Sequence, residues 1–290
     1  MSFRRGFTLI ELSIVLVIIG LIVGGVLVGR DLISAAAMRA QISQIEKIQT
    51  ATYTFREKYG ALPGDISVNA VAQYGFTTPS SRGGGPGRGD GNGLIEGYDY
   101  GILAPKDGLS SGEAAWFWED LTANSGLLEG KFTTAADTFY SVNTPLAYLP
   151  AAKINGSDYV YIYTYSNVNY FGLSYVQLLD GNGAINNYAP SNHVNPGLTV
   201  QQAYTIDKKI DDGFPLLGNV VARYQEWFIN FYIVYAAGGG VQGATSGATG
   251  IPASVTTCYD NNNVAGAALQ YSLKQNGGNG TNCALSFRFK

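Results

Sequence analysis

The sequence predicts an α+β fold, in which one very long N-terminal helix is joined to a globular head built on an antiparallel β-sheet. Three observations carry that reading. An almost unbroken apolar run opens the chain and passes into a stripe of apolar residues at steps of three and four. Short runs rich in Tyr, Val and Ile follow, bounded by Gly, Asn and Asp. Two capping patterns mark short helices among them.

Composition narrows the class before any motif is read. A chain of 290 residues can bury a substantial core as one large domain or two small ones. Charged residues make up only 13 %, and the net charge is −3. A cytosolic enzyme usually carries about a quarter. No basic stripe of the kind that tracks phosphates is present, so nucleic acid is not indicated as a partner. The 20 tyrosines and 38 glycines suit an extracytoplasmic surface protein of short strands and long polar loops.

The first element is the apolar run. From Phe7 to Gly29 the only polar side chains are Thr8, Glu11 and Ser13. As a helix this stretch is ~34 Å long, enough to cross a bilayer. Arg4 and Arg5 precede it, which leaves the N-terminus in the cytoplasm and the rest outside. As a plain anchor the segment carries Glu11 at a cost of about 2.5–3.5 kcal/mol if the acid sits deep. A secretory signal cut near Ser34–Ala37 would have too long an apolar core, since such cores span roughly 7–15 residues.

The stretch "GFTLIEL" resembles the processing site of type IV prepilins and type II secretion pseudopilins. The resemblance implies a cleaved basic leader, residues 1–6, with Gly6 before the cut and Phe7 as the N-methylated new terminus. It implies that Glu11 is the assembly residue, meeting the terminal amine of a neighbouring subunit. Opposite charges that meet in low dielectric offset much of each other's desolvation. It further implies a prepilin peptidase and methyltransferase, an inner-membrane assembly platform, the lipid bilayer before assembly, and other copies of the chain or other pilins as partners.

After the membrane-length run, Met38, Ile42, Ile45, Ile48, Thr52, Phe55 and Tyr59 keep helical spacing, and Gly60 followed by Pro63 supplies a stop. The helix is expected over residues 7–59, ~80 Å if unbroken. One half suits membrane or filament core and the other lays an apolar stripe on the head, the lollipop shape that the resemblance implies. Gly20, Gly24, Gly25 and Gly29 permit close helix approach or local loosening, yet the region holds no proline.

Residues 60–290 read as the periplasmic or extracellular head. Ser80–Gly93 is expected to be an exposed loop. Ser110 with Glu113, and Thr199 with Gln202, are capping-box patterns opening short helices that end near Gly126 and Gly213. Strands are expected at Tyr159–Tyr165, Tyr170–Leu178 and Trp227–Ala236. In the first of these, four tyrosines alternate with Val160, Ile162 and Thr164, giving a tyrosine face that either packs under another element or serves as a contact surface. Cys258 and Cys283 bracket Asn- and Gly-rich runs and read as one disulfide in an exported chain, worth about 3 kcal/mol through the unfolded state. Two unpaired buried thiols are the alternative. Such a loop also matches the C-terminal disulfide loop of many type IV pilins. "YGALPGD", "GDGNGLI", "EAAWFWEDL" and "AYTIDKKIDDGFPLLGNVVA" look like segments of larger bacterial pilin-like proteins.

Candidate chemistry is sparse. Asp90, Asn92, the Leu94 carbonyl, Glu96 and Asp99 follow part of a calcium-loop spacing, but Arg88 stands where the first acid belongs. Asp-Gly and Asn-Gly turns account for the same residues. "DGNGAI" at Asp180–Ile185 repeats the core of that spacing without later acids, and the "RGD" tripeptide is a coincidence unless cell adhesion is shown. Gly108–Gly112 satisfies G-x-S-x-G without a preceding strand, and His193 is the single histidine, which disfavours a hydrolase triad. One His and two Cys also disfavour zinc, and "GGGPGRG" lacks the Lys-Ser/Thr of a P-loop. No catalysis and no required cofactor are expected, with calcium as a possible ligand. The expected function is a structural subunit of a type IV pilus-like filament, inner-membrane-bound as precursor. The alternatives are a pseudopilin of a type II secretion or DNA-uptake system, and a membrane-anchored binding or hydrolase domain.

Overall fold

A computed structural model describes residues 8–76, 89–97, 112–132, 145–176, 194–226, 232–235 and 250–289. Its dominant element is helix α1, Leu9–Tyr59, of 51 residues. At 1.5 Å per residue it is about 77 Å long. Thr8 caps its start, and the Gly60 N–H donates to the Arg56 carbonyl at 2.8 Å with the glycine at φ 78°, a left-handed ending that suits a residue without Cβ.

The two halves of α1 meet different surroundings. Between Leu9 and Ile33 the large apolar side chains are all exposed, whereas Ile45, Ile48, Ala51, Thr52 and Phe55 are buried in the head. Met38, Ile42 and Tyr59 are partly buried against the same core, so the expected stripe is the one that packs. Gln41, outside that stripe, is fully buried as well.

Helix α2, Val68–Gln73, is capped by Ser67. Helix α3, Gly112–Glu119, continues into a π-helical turn, Asp120–Asn124. Helix α4, Val200–Ile210, opens with the expected Thr199–Gln202 capping box. It ends at Asp211, before Gly213, because the Asp211 N–H still reaches the Asp207 carbonyl while the Gly213 N–H turns to the Asp207 carboxylate. Ser110 lies outside the described residues.

The strands are β1 (Asp158–Tyr165), β2 (Val168–Val176), β3 (Val194–Asn195), β4 (Val220–Val221), β5 (Arg223–Glu226), β6 (Tyr232–Tyr235), β7 (Tyr259–Asp260), β8 (Gln270–Tyr271) and β9 (Leu285–Phe289). The main sheet runs β1-β2-β9-β4 with β3 beside β2, and every pairing described in it is antiparallel. The expected strands at Tyr159 and Tyr170 are β1 and β2. Only β6 falls within the expected Trp227–Ala236 run, and Gln177–Leu178, 227–231 and Ala236 lie outside the described residues. The C-terminal strand β9 was not expected, yet it pairs with both β2 and β4.

Register makes the sheet two-faced. Val160, Ile162, Phe171, Leu173, Leu285 and Phe287 share one face and are buried in the apolar core, with Phe117 of α3 at 5.9 Å from Phe171 between ring centres. Tyr161, Tyr163 and Tyr170 share the opposite face. Tyr161 and Tyr163 are buried, so the middle of the tyrosine face is packed rather than displayed, while Tyr165 at its end is exposed. Its cover includes Arg223, whose guanidinium lies 3.8 Å from the Tyr170 ring centre and 5.1 Å from that of Tyr165. The Tyr163 hydroxyl donates to Ser286 Oγ, which donates in turn to the Arg223 carbonyl. Cys258 and Cys283 form a disulfide with Cα atoms 5.0 Å apart, and both are fully buried.

Candidate functional site

The exposed end of α1 begins with a reciprocal cap. Thr8 has extended backbone at φ −79° and ψ 154°, and its hydroxyl oxygen accepts from the Glu11 N–H at 3.3 Å. The Glu11 carboxylate reaches back, accepting from the Thr8 N–H at 2.7 Å and the Thr8 hydroxyl at 2.8 Å. This capping box satisfies backbone donors that a helix start otherwise leaves unpaired, and it places an anion at the positive end of the helix dipole. Glu11 is therefore not a bare carboxylate in an apolar run. Its own chain already fixes its position, with both Thr8 bonds on one oxygen, Oε2. Ser13 is also satisfied locally, donating to the Ile10 carbonyl. Gly6 and Phe7 lie outside the described residues.

Beyond that acid the helix offers hydrocarbon in all directions. It is long and apolar enough to cross a membrane, and none of its apolar window is buried in the head. The junction with the head is polar. Gln41 Oε1 accepts from the Lys153 N–H at 2.8 Å, Gln44 Oε1 accepts from the same N–H at 3.2 Å, and Gln44 Nε2 donates to the Ala151 carbonyl at 2.9 Å. These amides grip the turn that leads into β1.

The second candidate site is the loop at 89–97, to which the structure brings Asp90, Asn92, Leu94 and Glu96 of the calcium-like spacing. Arg88 and Asp99 lie outside the described residues. The spacing alone does not account for the arrangement, because two distant acids organise it. Asp65 accepts from the N–H groups of Gly91, Asn92 and Gly93 at 2.8, 3.1 and 2.8 Å. Glu113 accepts from Gly89 at 2.8 Å and from Glu96 at 2.8 Å. On the far side Asn169 of β2 accepts from the Ile95 N–H and donates to the Gly93 carbonyl. The Asn92 side chain bridges Asp90 and Glu96, donating to each at 3.0 and 3.4 Å.

Burial pushes the Asp65 carboxyl up to about 6 and that of Glu113 to about 8, and in both the backbone donors only partly offset the desolvation. Oxygens of Asp65, Asp90 and Glu113 lie within 4.8 Å of one another, close enough to share a cation. The same oxygens on Asp65 and Glu113 are already used to hold the loop backbone.

A second loop is held in the same way. Asp207 accepts from the Tyr271 hydroxyl at 2.7 Å and from the Gly213 N–H at 3.1 Å, while Asp211 accepts from the N–H groups of Asn219 and Val220. Burial pushes Asp207 up to about 7. Neither Asp65 nor Asp207 was singled out in the sequence, and each acts on a loop many residues away or around a helix end. His193, Gly108–Ser111 and Asp180–Ile185 lie outside the described residues.

Residues 1–27 match the family model described as the prokaryotic N-terminal methylation motif, the prepilin-type signature of type IV pilins and pseudopilins. No curated protein and no solved structure is significantly similar to the chain. The match takes in Gly6, Phe7, Glu11 and most of the exposed apolar helix, and it supports a type IV pilin-like or pseudopilin protein.

Proposed function

We propose that the chain is a structural subunit of a type IV pilus-like filament and performs no catalysis of its own. It is inserted in the inner membrane as a precursor, cut after Gly6 by a prepilin peptidase, methylated on Phe7, and polymerised through α1. The single observation that supports this reading best is the form of the exposed half-helix within the matched segment, an apolar rod with one acid fixed at its capped start.

The chemistry follows from the order of events. In the membrane Glu11 has, among the described residues, only the Thr8 donors to offset its loss of water. Cleavage creates an ammonium on Phe7, next to Thr8. When a neighbouring subunit brings that cation to Glu11, the two opposite charges meet in a low-dielectric setting and each lowers the other's cost. The apolar rods then bury against one another, and Glu11 fixes their register. A pseudopilin would use the same steps and would form a short periplasmic fibre instead of a surface one.

Electron microscopy of sheared cell-surface material, with an antibody to the head, tests the reading. Labelled fibres are the expected result. Fibres absent from the surface but formed in the periplasm would assign the pseudopilin role. Protein that never leaves the membrane under assembling conditions would overturn both.

A further inference from the structure

Asp158 opens β1 and is fully buried, and its two carboxyl oxygens have no hydrogen-bond partner among the described residues. Its backbone is well held, with its N–H donating to Asn155 Oδ1 at 3.0 Å and its carbonyl accepting from Ala152 at 2.8 Å. The side chain is wedged against Gly197, where an added Cβ would stand 1.9 Å from Oδ1 and 2.2 Å from Oδ2. The glycine is required there because the carboxyl occupies the space of a side chain. Asn155 closes the corner by donating to the Gly197 carbonyl at 3.3 Å.

A carboxylate in that position would be an uncompensated buried charge, so the neutral acid is the form that fits. We propose that Asp158 is a proton-dependent latch: it sits protonated in the closed corner between the 151–157 turn and Gly197, and its ionisation loosens that turn from helix α1. The turn is the one that Gln41 and Gln44 grip through Ala151, Lys153 and Ile154, which links the carboxyl to the helix–head junction. The inference rests on the head alone and holds whichever filament the chain builds.

Among the described residues the surroundings supply no counter-charge. Lys153 on the turn is exposed, Tyr175 of β2 stands opposite Asp158 in the ladder, and α1 presents the neutral amides of Gln41 and Gln44. Burial pushes the carboxyl up to about 6; the neighbouring Asn155 side chain, which makes no hydrogen bond to it, offsets only part of this, and no charged side chain among the described residues contributes. The folded chain therefore holds the proton more tightly than the unfolded chain. Stability from this group is lost as pH rises from the ordinary aspartate range to about 6, and stays lost above it.

Carboxyl-detected NMR of the full chain in detergent gives the first test. A titration midpoint for Asp158 near 6 is expected, and a midpoint at or below the ordinary aspartate value overturns the proposal. The second test compares wild type with Asp158→Asn, which keeps the shape and removes the ionisation. The melting temperature of the variant should rise relative to wild type as pH is taken from about 4 to about 7, since only the wild type acquires the buried charge. At neutral pH, hydrogen exchange at the Lys153 and Ile154 amides should be several-fold slower in the variant and should match wild type in acid. A difference in melting that does not change with pH, or equal exchange at neutral pH, overturns the latch.

Discussion

Glu11 Oε2 accepts both the backbone N–H and the hydroxyl of Thr8, and Thr8 Oγ1 accepts in return from the Glu11 N–H. One pair of residues thus caps the longest helix in the molecule and holds its most conspicuous acid in place. Replacing Glu11 with Val should leave membrane insertion intact, since the segment becomes more apolar, and should abolish filament formation. Fractionation and electron microscopy measure the two separately. Normal filament yield from Glu11→Val would remove the acid from assembly.

Thr8→Val tests the cap itself. The change removes the hydroxyl but keeps the shape, and loss of such a cap typically costs about 1 kcal/mol of helix stability. Fraying should appear as faster hydrogen exchange in the first turn of α1, with filament yield reduced less than by Glu11→Val. Unchanged exchange would show that the box contributes nothing to the helix start.

The helix–head junction makes a third prediction. Gln41→Ala leaves the buried Ile154 N–H without its acceptor and the part-buried Lys153 N–H with only Gln44. An unsatisfied buried donor costs about 1–3 kcal/mol, so a clear drop in melting temperature is expected. A variant that melts like wild type would mean that solvent replaces the amide at no cost.

The pinned loops predict the direction of the pH response. Asp65 and Glu113 have raised values of about 6 and about 8 in the fold, and Asp207 about 7. In each case the folded chain holds its proton more tightly than the unfolded one, so these groups favour the fold on the acid side and lose that contribution as pH rises through those values. The head should melt at a higher temperature near pH 5 than near pH 8, and Glu113→Gln should flatten the alkaline part of that slope. A head that gains stability between those pH values would contradict the assignment. Calcium separates the two roles of the loop at 89–97. Pinning by hydrogen bonds predicts equal melting in calcium and in chelator, whereas a rise of several degrees with calcium would assign the Asp65, Asp90 and Glu113 oxygens to a cation.

Among the described residues Arg223 is met by aromatic faces rather than by a carboxylate. Stacked on Tyr170 and only 6 % exposed, it depends on a flat guanidinium. Arg223→Lys should destabilise the head by about 1–2 kcal/mol, because the ammonium loses the stacking area and keeps the burial. Chemical denaturation measures it, and an unchanged midpoint would show that charge alone suffices.

What could be read from the sequence divides by distance along the chain. The apolar stripe through Ile45, Ile48, Thr52 and Phe55 was legible because a helix repeats its pattern locally, and the Thr199–Gln202 box for the same reason. Thr8 and Glu11 stand at the same box spacing, a signal overshadowed by the oddity of an acid in hydrocarbon. Strand β9 is five residues whose partners are distant in sequence, Val220–Val221 in β4 and Asn169–Leu173 in β2, so only the alternation of Leu285, Phe287 and Phe289 hinted at it. The loop at 89–97 showed its turn residues, but not that Asp65, Glu113 and Asn169 would converge on it from three other elements. Orphaned Asp158 was invisible, since burial without a partner leaves no mark in a linear pattern.

The filament reading of α1 depends on cleavage after Gly6, and mass spectrometry of the N-terminus of protein isolated from assembling cells observes it directly. The account predicts a chain that begins at Phe7 and carries an added methyl group on its terminal amine. A functional, assembled protein that still begins at Met1 would contradict it.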